Sequence, residues 1–116
     1  MMQTLVFETA WDKTIAQEDR EAIIDLFHET KKTANKSIAF APITQAYNHR
    51  GDLLIMVLVH NFTGQLFSFE KMNLIYKEKD KDIAAMHFSF PGLKLDAWTS
   101  MPWTFIFPMM YKTKKL

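Results

Sequence analysis

The stretch LLIMVLV, residues 53–59, decides the fold class of this chain. Its seven consecutive apolar residues leave no polar face, so a strand formed here must be covered on both sides. The turn-forming residues of NFTG, 61–64, end the run. It is also far shorter than the roughly 20 apolar residues that cross a bilayer. We therefore predict a buried central strand and no insertion into a membrane.

Shorter apolar patterns on both sides of this run predict further strands. Residues 38–47 indicate an edge or bent strand, because Pro42 interrupts them. In residues 67–76 the apolar positions change from odd to even near Glu70–Lys71, which predicts a β-bulge or a sharp bend there. Further strands are predicted within 84–90, 93–95 and 103–107, with a charged hairpin tip at 77–82, a turn at 91–92 and a loop at 98–102.

One amphipathic helix is predicted at about residues 15–33. Thr14 has the spacing of an N-cap residue, and Gln17 completes a capping box. A chain of 116 residues holds one domain, divided into an arm (1–13), a helix (14–35), a β-sandwich (37–108) and a basic tail (109–116). The predicted fold is mainly β, an immunoglobulin-like antiparallel β-sandwich with one N-terminal amphipathic helix.

Composition argues against several classes of function. The chain has no cysteine, and its net charge of +1 lacks the basic excess of a nucleic-acid-binding domain. Its four histidines are dispersed without metal-binding spacing, so we expect no metal. Asp80 and Asp82 lie among lysines, and the serines lack the sequence context of a nucleophile. We expect no catalytic residues, no cofactor and no enzymatic activity.

Two short motifs have simple structural interpretations. The tripeptide Arg50-Gly51-Asp52 matches an integrin-binding motif, but it lies in a stretch with turn chemistry. Asn61 begins a glycosylation sequon, and we expect Asn61 and Thr63 to shape the loop after the central strand. The N-terminus lacks the features of a signal peptide, which predicts a cytoplasmic protein; a cell-surface location is the alternative if a leader is removed.

Three motifs resemble the SLAP domain of S-layer assembly proteins associated with accessory Sec secretion in bacilli. They are NHRGDLL at 48–54, HNFT at 60–63 and SMPWTFIFP at 100–108. The resemblance runs from the helix through Pro108, as a single copy of a domain that accessory Sec members carry in duplicate. It implies a non-enzymatic protein-interaction module, an accessory factor in the secretion or assembly of bacterial surface proteins. The alternative is a β-sandwich domain that binds a small ligand or a cell-surface carbohydrate.

The C-terminal segment is the candidate interaction surface. The strand at 103–107 is short, aromatic and free of charge, and Pro108 stops pairing beyond it. We predict that this segment docks a secretion component, an S-layer protein or a second copy of the chain, by strand addition. The alternative is that it packs inside the monomer. The residues of this surface are Trp103, Phe105, Phe107, Met109, Met110 and Tyr111.

Overall fold

The computed structural model describes residues 2–33 and 36–108, and this part of the chain is mainly β, as predicted. The strands are β1 (Thr4–Leu5), β2 (Ile38–Tyr47), β3 (Leu53–Asn61), β4 (Phe67–Ser68), β5 (Met72–Glu78), β6 (Lys81–Phe88), β7 (Lys94–Leu95) and β8 (Thr99–Phe107). The helices are α1 (Thr9–Thr14) and α2 (Gln17–Thr30), and a 3-10 turn follows at Lys31–Thr33.

A four-stranded sheet in the order β1-β8-β3-β2 forms the centre of the described structure. β3 pairs antiparallel with β2 and β8, while β1 runs parallel to β8. Leu53, Leu58 and Val59 of β3 are fully buried, which confirms the predicted central strand. β2 lies at the edge with its register shifted between Pro42 and Thr44, so the predicted bent edge strand is also confirmed.

Two small antiparallel pairs cover one face of this sheet. β5 pairs with β6, and β4 pairs with β7. The odd-numbered residues of β3 and β8 point towards these pairs and form the main core with them, which confirms a sandwich-like arrangement. Its buried members are Leu53, Ile55, Val57, Val59, Phe69, Ala84, Phe88, Leu95, Met101, Phe105 and Phe107.

The predicted change of parity near Glu70–Lys71 is a complete break between strands. Lys71 has a φ of 56°, a left-handed conformation that turns the chain from β4 to β5. Just before it, the fully buried Phe69 donates its backbone N–H to Leu93 O at 3.0 Å. The sharp bend therefore lets apolar residues on both sides of it face the same core.

The helical layer differs from the prediction. Residues 2–33 form two α-helices instead of one, because Ile15 and Ala16 between them are extended. Thr14 is therefore not an N-cap and makes no capping box: it lies at the end of α1 and donates its hydroxyl to Ala10 O at 3.0 Å. The side chain of Glu8 caps α1 instead, accepting from Ala10 N at 2.9 Å.

α2 packs on the opposite face of the sheet. Ile23 and Phe27 form a smaller buried cluster with Ala41 of β2 and Leu58 of β3. Both helical residues belong to the predicted apolar stripe, so the burial of that stripe is confirmed at these positions. None of the described helices has the length and apolar character needed to span a membrane.

Candidate functional site

Within the described residues, a neighbouring strand pairs with the outer edge of β8 only where β8 begins. Thr4 N donates to Trp98 O at 2.9 Å, and Val6 N donates to Ser100 O at 2.8 Å. To extend this parallel ladder, β1 would next need an N–H from Pro102, which proline lacks. The chain leaves the edge there and enters α1.

The predicted loop at 98–102 is wrong, because most of these residues belong to β8 and a proline is tolerated at this position of the strand. β8 begins at Thr99 and contains Pro102, which lies opposite Leu58 in the pairing with β3. Because Ser100 directs its carbonyl to β1, alternation along the strand directs the nitrogen of Pro102 outward as well. The proline therefore removes no bond to β3.

Pro102 itself is fully buried, and the unpaired stretch of backbone that follows it, Thr104–Ile106, is what we call the free window. By the same alternation its outward groups are the carbonyls and the N–H groups of Thr104 and Ile106. β8 has no strand partner on this side of the window within residues 2–33 and 36–108. The window ends before Pro108.

The side chains predicted as an interaction surface have different positions. Phe105 and Phe107 are 2% and 3% exposed and belong to the main core, while Trp103 is partly buried against it. Met109, Met110 and Tyr111 lie outside the described residues. The exposed apolar residue of β8 is Ile106, at 46%, which the sequence reasoning missed although its even position alternates with those rings.

A shallow groove of about 440 Å³ runs between this edge and β6. Its described lining contains no carboxylate, ammonium or guanidinium group. The indole Nε1 of Trp103, one of the lining residues, is buried without a hydrogen-bond partner in the described structure. The lining residues are Met86, His87, Phe88, Ser89, Phe90, Trp103, Thr104 and Ile106.

A buried hydrogen-bonded chain of side chains joins α2 to β8 through His60. His60 Nε2 lies 2.8 Å from Thr30 Oγ1, and His60 Nδ1 lies 2.6 Å from Ser100 Oγ. Thr30 Oγ1 donates to Leu26 O, and Ser100 Oγ accepts from Gln3 Nε2. In the neutral imidazole these partners make Nε2 the donor to Thr30 and Nδ1 the acceptor from Ser100.

Burial sets the protonation state of this histidine. Desolvation lowers the pKa of His60 to about 4, so the ring is neutral at physiological pH. His60 and Ser100 are 1% and 0% exposed, beneath α2, and the ring stacks on Phe62 at 4.6 Å between centroids. This arrangement acts as a structural bridge between helix and sheet. The predicted structural role of His60 agrees with this geometry.

The two short motifs have the structural roles expected of them. Asn48 Oδ1 accepts from the backbone N–H of Arg50 and of Asp52, and Gly51 has a φ of 86°. The Asp52 carboxylate is nearly buried and pairs with Arg50 at 3.1 Å, so the tripeptide is a closed turn. Asn61 shapes the loop that follows β3, through its bond to Thr63 N at 3.0 Å.

A metal site was not expected from the sequence. Among residues 2–33 and 36–108, no group of three or more His, Asp or Glu side chains lies together in a metal-binding arrangement. We predict that exhaustive chelation leaves the melting temperature unchanged; a fall of several degrees would show a structural metal.

Comparison with known proteins gives a family for this fold. A family model described as the SLAP domain matches residues 5–115, nearly the whole chain. Searches of curated proteins and of solved structures found no match. The match includes both sheet layers, the helices and the edge of β8 described above. The chain therefore belongs to the SLAP-domain family.

Proposed function

We propose that this domain is a non-enzymatic protein-interaction module that serves the secretion or assembly of bacterial surface-layer proteins. Membership of the SLAP family supports a role related to accessory Sec and S-layer systems. The main structural support for an interaction role is the free window of β8, which lies beside a mainly apolar groove. We place this activity on the cytosolic side of the membrane.

The free window supports binding of a polypeptide more than binding of a small polar molecule. Its outward N–H and C=O groups can form a β-ladder with an added strand, which supplies affinity. The half-buried Thr104 and the exposed Ile106 both line the groove that runs along that edge. Pockets for alternate side chains of the added strand would supply specificity.

Gene deletion with complementation tests this function in the bacterium that encodes the protein. Deletion is expected to lower the fraction of surface-layer protein that reaches the cell surface, and the wild-type gene to restore it. Ile106→Lys places a charge at the free window and is expected not to restore export. Tyr47→Lys is the matched control on the opposite edge of the sheet, and it is expected to restore export. Normal export in the deletion strain would refute the proposal.

A small apolar ligand is the second candidate, because a cleft of about 340 Å³ opens between β2 and β5. It reaches the core residues Ile55 and Val57, and the Tyr76 hydroxyl donates to Gln45 Oε1 at 2.6 Å nearby. This mainly apolar lining fits a small apolar ligand better than a carbohydrate. Saturable binding of anilinonaphthalene sulfonate to the native protein, displaced by a fatty acid, would support this candidate; no saturable binding would contradict it.

A further inference from the structure

We infer that the basic tail, residues 109–116, folds back over the sheet of its own chain and fills the groove beneath the start of α2. The tail follows Pro108, where the described structure ends. The family match extends to residue 115, so most of the tail is part of the SLAP domain. The inference does not rest on the free window, because a different set of residues lines the groove beneath α2.

This groove lies between the helical layer and the sheet, and it has a volume of about 520 Å³. Met56 of β3 and Ile43 of β2 line it from the sheet, and Ile23 lines it from α2. Among its described lining residues, Asp19 in the first turn of α2 is the charged one. The groove therefore suits a segment that is apolar where it lies inside and positively charged where it leaves.

The strand register places the groove within reach of the basic tail. Phe107 lies opposite Leu53 in the pairing of β8 with β3, and Met56 lies three residues further along β3. At about 3.3 Å per residue along a strand and about 4.8 Å between strands, the end of β8 is about 11 Å from Met56. The eight residues of the tail span up to about 26 Å when extended, so they can cross β3 and continue along α2.

The direction of α2 places its first turn at the same end of the sheet. Its last residue, Thr30, contacts His60, whereas Asp19 in its first turn lines the groove together with Met56. Along β3, Met56 is closer than His60 to Leu53, and therefore closer to the end of β8. The acidic start of α2 thus lies towards the point from which the basic tail leaves the sheet.

The basic tail complements the groove in polarity and in charge. Its first three residues, 109–111, are Met, Met and Tyr, and methionine fills irregular gaps because its side chain is unbranched and flexible. Three lysines follow within residues 112–115. α2 carries five carboxylates and a single arginine, and three of those carboxylates are at residues 18–21. The lysines can therefore lie beside the acidic start of α2 while the apolar residues fill the groove.

Charge favours this groove over the cleft between β2 and β5. The tail could also reach that cleft, because Phe107 lines it. However, its described lining contains the ammonium group of Lys77 and no carboxylate, so it offers the lysines of the tail no anionic partner. Asp19 supplies that partner in the groove beneath α2.

Disulfide cross-linking of the full chain tests the inference, because the chain has no native cysteine. Met110→Cys is combined with Ala22→Cys, at an exposed residue of α2 that lines the groove, or with Ala85→Cys, at an exposed residue of β6, as the matched control. The tail can reach Ala85 as well, since nearby Phe88 contacts Phe107 at 5.2 Å between ring centroids. The Ala22 pair should form an intramolecular disulfide about tenfold faster than the control pair, because docking raises the local concentration of its thiols.

Non-reducing electrophoresis and the mass of the linked peptides identify the product. Equal rates for the two pairs, or a faster control pair, would show that the basic tail does not occupy the groove. A disulfide-linked dimer as the main product of the Ala22 pair would assign the groove to the tail of a second copy, and it would overturn the intramolecular inference.

Two further pairs of variants test the forces that hold the tail. Met110→Asp places a charge in the apolar groove and should lower the melting temperature by several degrees, whereas Met2→Asp, at a methionine that is 84% exposed, should change it little. In the Ala22 cysteine pair, Asp19→Lys should slow cross-linking about threefold at low salt, and Glu29→Lys at the other end of α2 should not. Equal melting temperatures of the two Asp variants, or equal rates of the two Lys variants, would contradict the docking.

Discussion

Asn61 holds together three segments that are distant in the sequence. Its Nδ2 donates to Gln65 O at 2.8 Å and to Leu95 O and Asp96 O, both at 3.1 Å. Its Oδ1 accepts from Thr63, and its side chain is fully buried. The end of β3, the loop after it and β7 are therefore positioned by one amide group.

Asn61→Ala should destabilise the fold by about 3 kcal/mol, since it leaves the buried Leu95 carbonyl and two partly buried carbonyls without their donor. Chemical denaturation of the variant and the wild type measures this difference. Asn73→Ala is the matched control at an exposed position, and it should cost about 0.5 kcal/mol or less. Equal effects of the two substitutions would show that the Asn61 network contributes little.

His60 should make the free energy of unfolding depend on pH. Its pKa is about 4 in the fold and 6.5 as the ordinary value, so between these values the unfolded chain binds more protons than the native one. Stability from this residue is therefore complete above about pH 6.5 and falls as the pH drops towards 4. The loss between about pH 7 and about pH 5 should be near 2 kcal/mol.

Denaturation of His60→Gln over the same pH range checks this assignment. The variant should be less stable at neutral pH but should lack most of the decline towards pH 5, because glutamine does not titrate. If the variant and the wild type lose equal stability with falling pH, other groups cause the decline. Both His60 hydrogen bonds join distant elements, so the sequence could predict only a structural histidine, without its partners.

At the scale of elements, the β5–β6 hairpin has a turn whose residues do not suit its conformation. Glu78 pairs with Lys81, so Lys79 and Asp80 form a two-residue loop. Both have positive φ, 51° and 67°, as in a type I′ turn, which favours Asn-Gly. The sequence predicted the solvated tip correctly, but it could not give the turn type because Lys at this position is unusual.

Replacing this loop by Lys79→Asn with Asp80→Gly should stabilise the fold by about 1 kcal/mol, because Asn and Gly adopt left-handed backbone at a lower cost than Lys and Asp. Asp80→Val at the same position should destabilise it, because a β-branched residue disfavours positive φ. Thermal unfolding of the two variants measures both changes. A loss of stability in the Asn-Gly variant would contradict the turn assignment.

Elements fixed by a local pattern were predictable, and those fixed by distant contacts were not. The seven apolar residues of 53–59 permit only a covered strand, and the parity change at Glu70–Lys71 requires a bend. α1 depends instead on the Glu8 cap and on the Arg20–Asp12 ion pair at 2.9 Å from the next helix. Pro102 fits into a strand because its nitrogen points away from β3, beyond the residues that pair with β1, and a sequence does not reveal this.

At the scale of the whole molecule, the sheet divides two cores of unequal size. Among the residues that the structure describes, the cluster between the sheet layers has eleven buried members, whereas the cluster under α2 has four. Buried apolar area is the main source of stability, so the α2 layer contributes less of it. α2 is also joined to β8 through His60, a bridge that acid weakens.

We therefore expect α2 to open without global unfolding. Native-state hydrogen exchange should give a lower free energy of opening for amides near Ile23 and Phe27 than for those of Val57 and Val59, which exchange only when the sheet unfolds. The difference should widen from about pH 7 to about pH 5, since opening of α2 releases His60 to bind a proton. Equal opening free energies for both layers at both pH values would contradict this expectation. They would mean that helix and sheet unfold as one cooperative unit, with no separate opening of α2 at the His60 bridge.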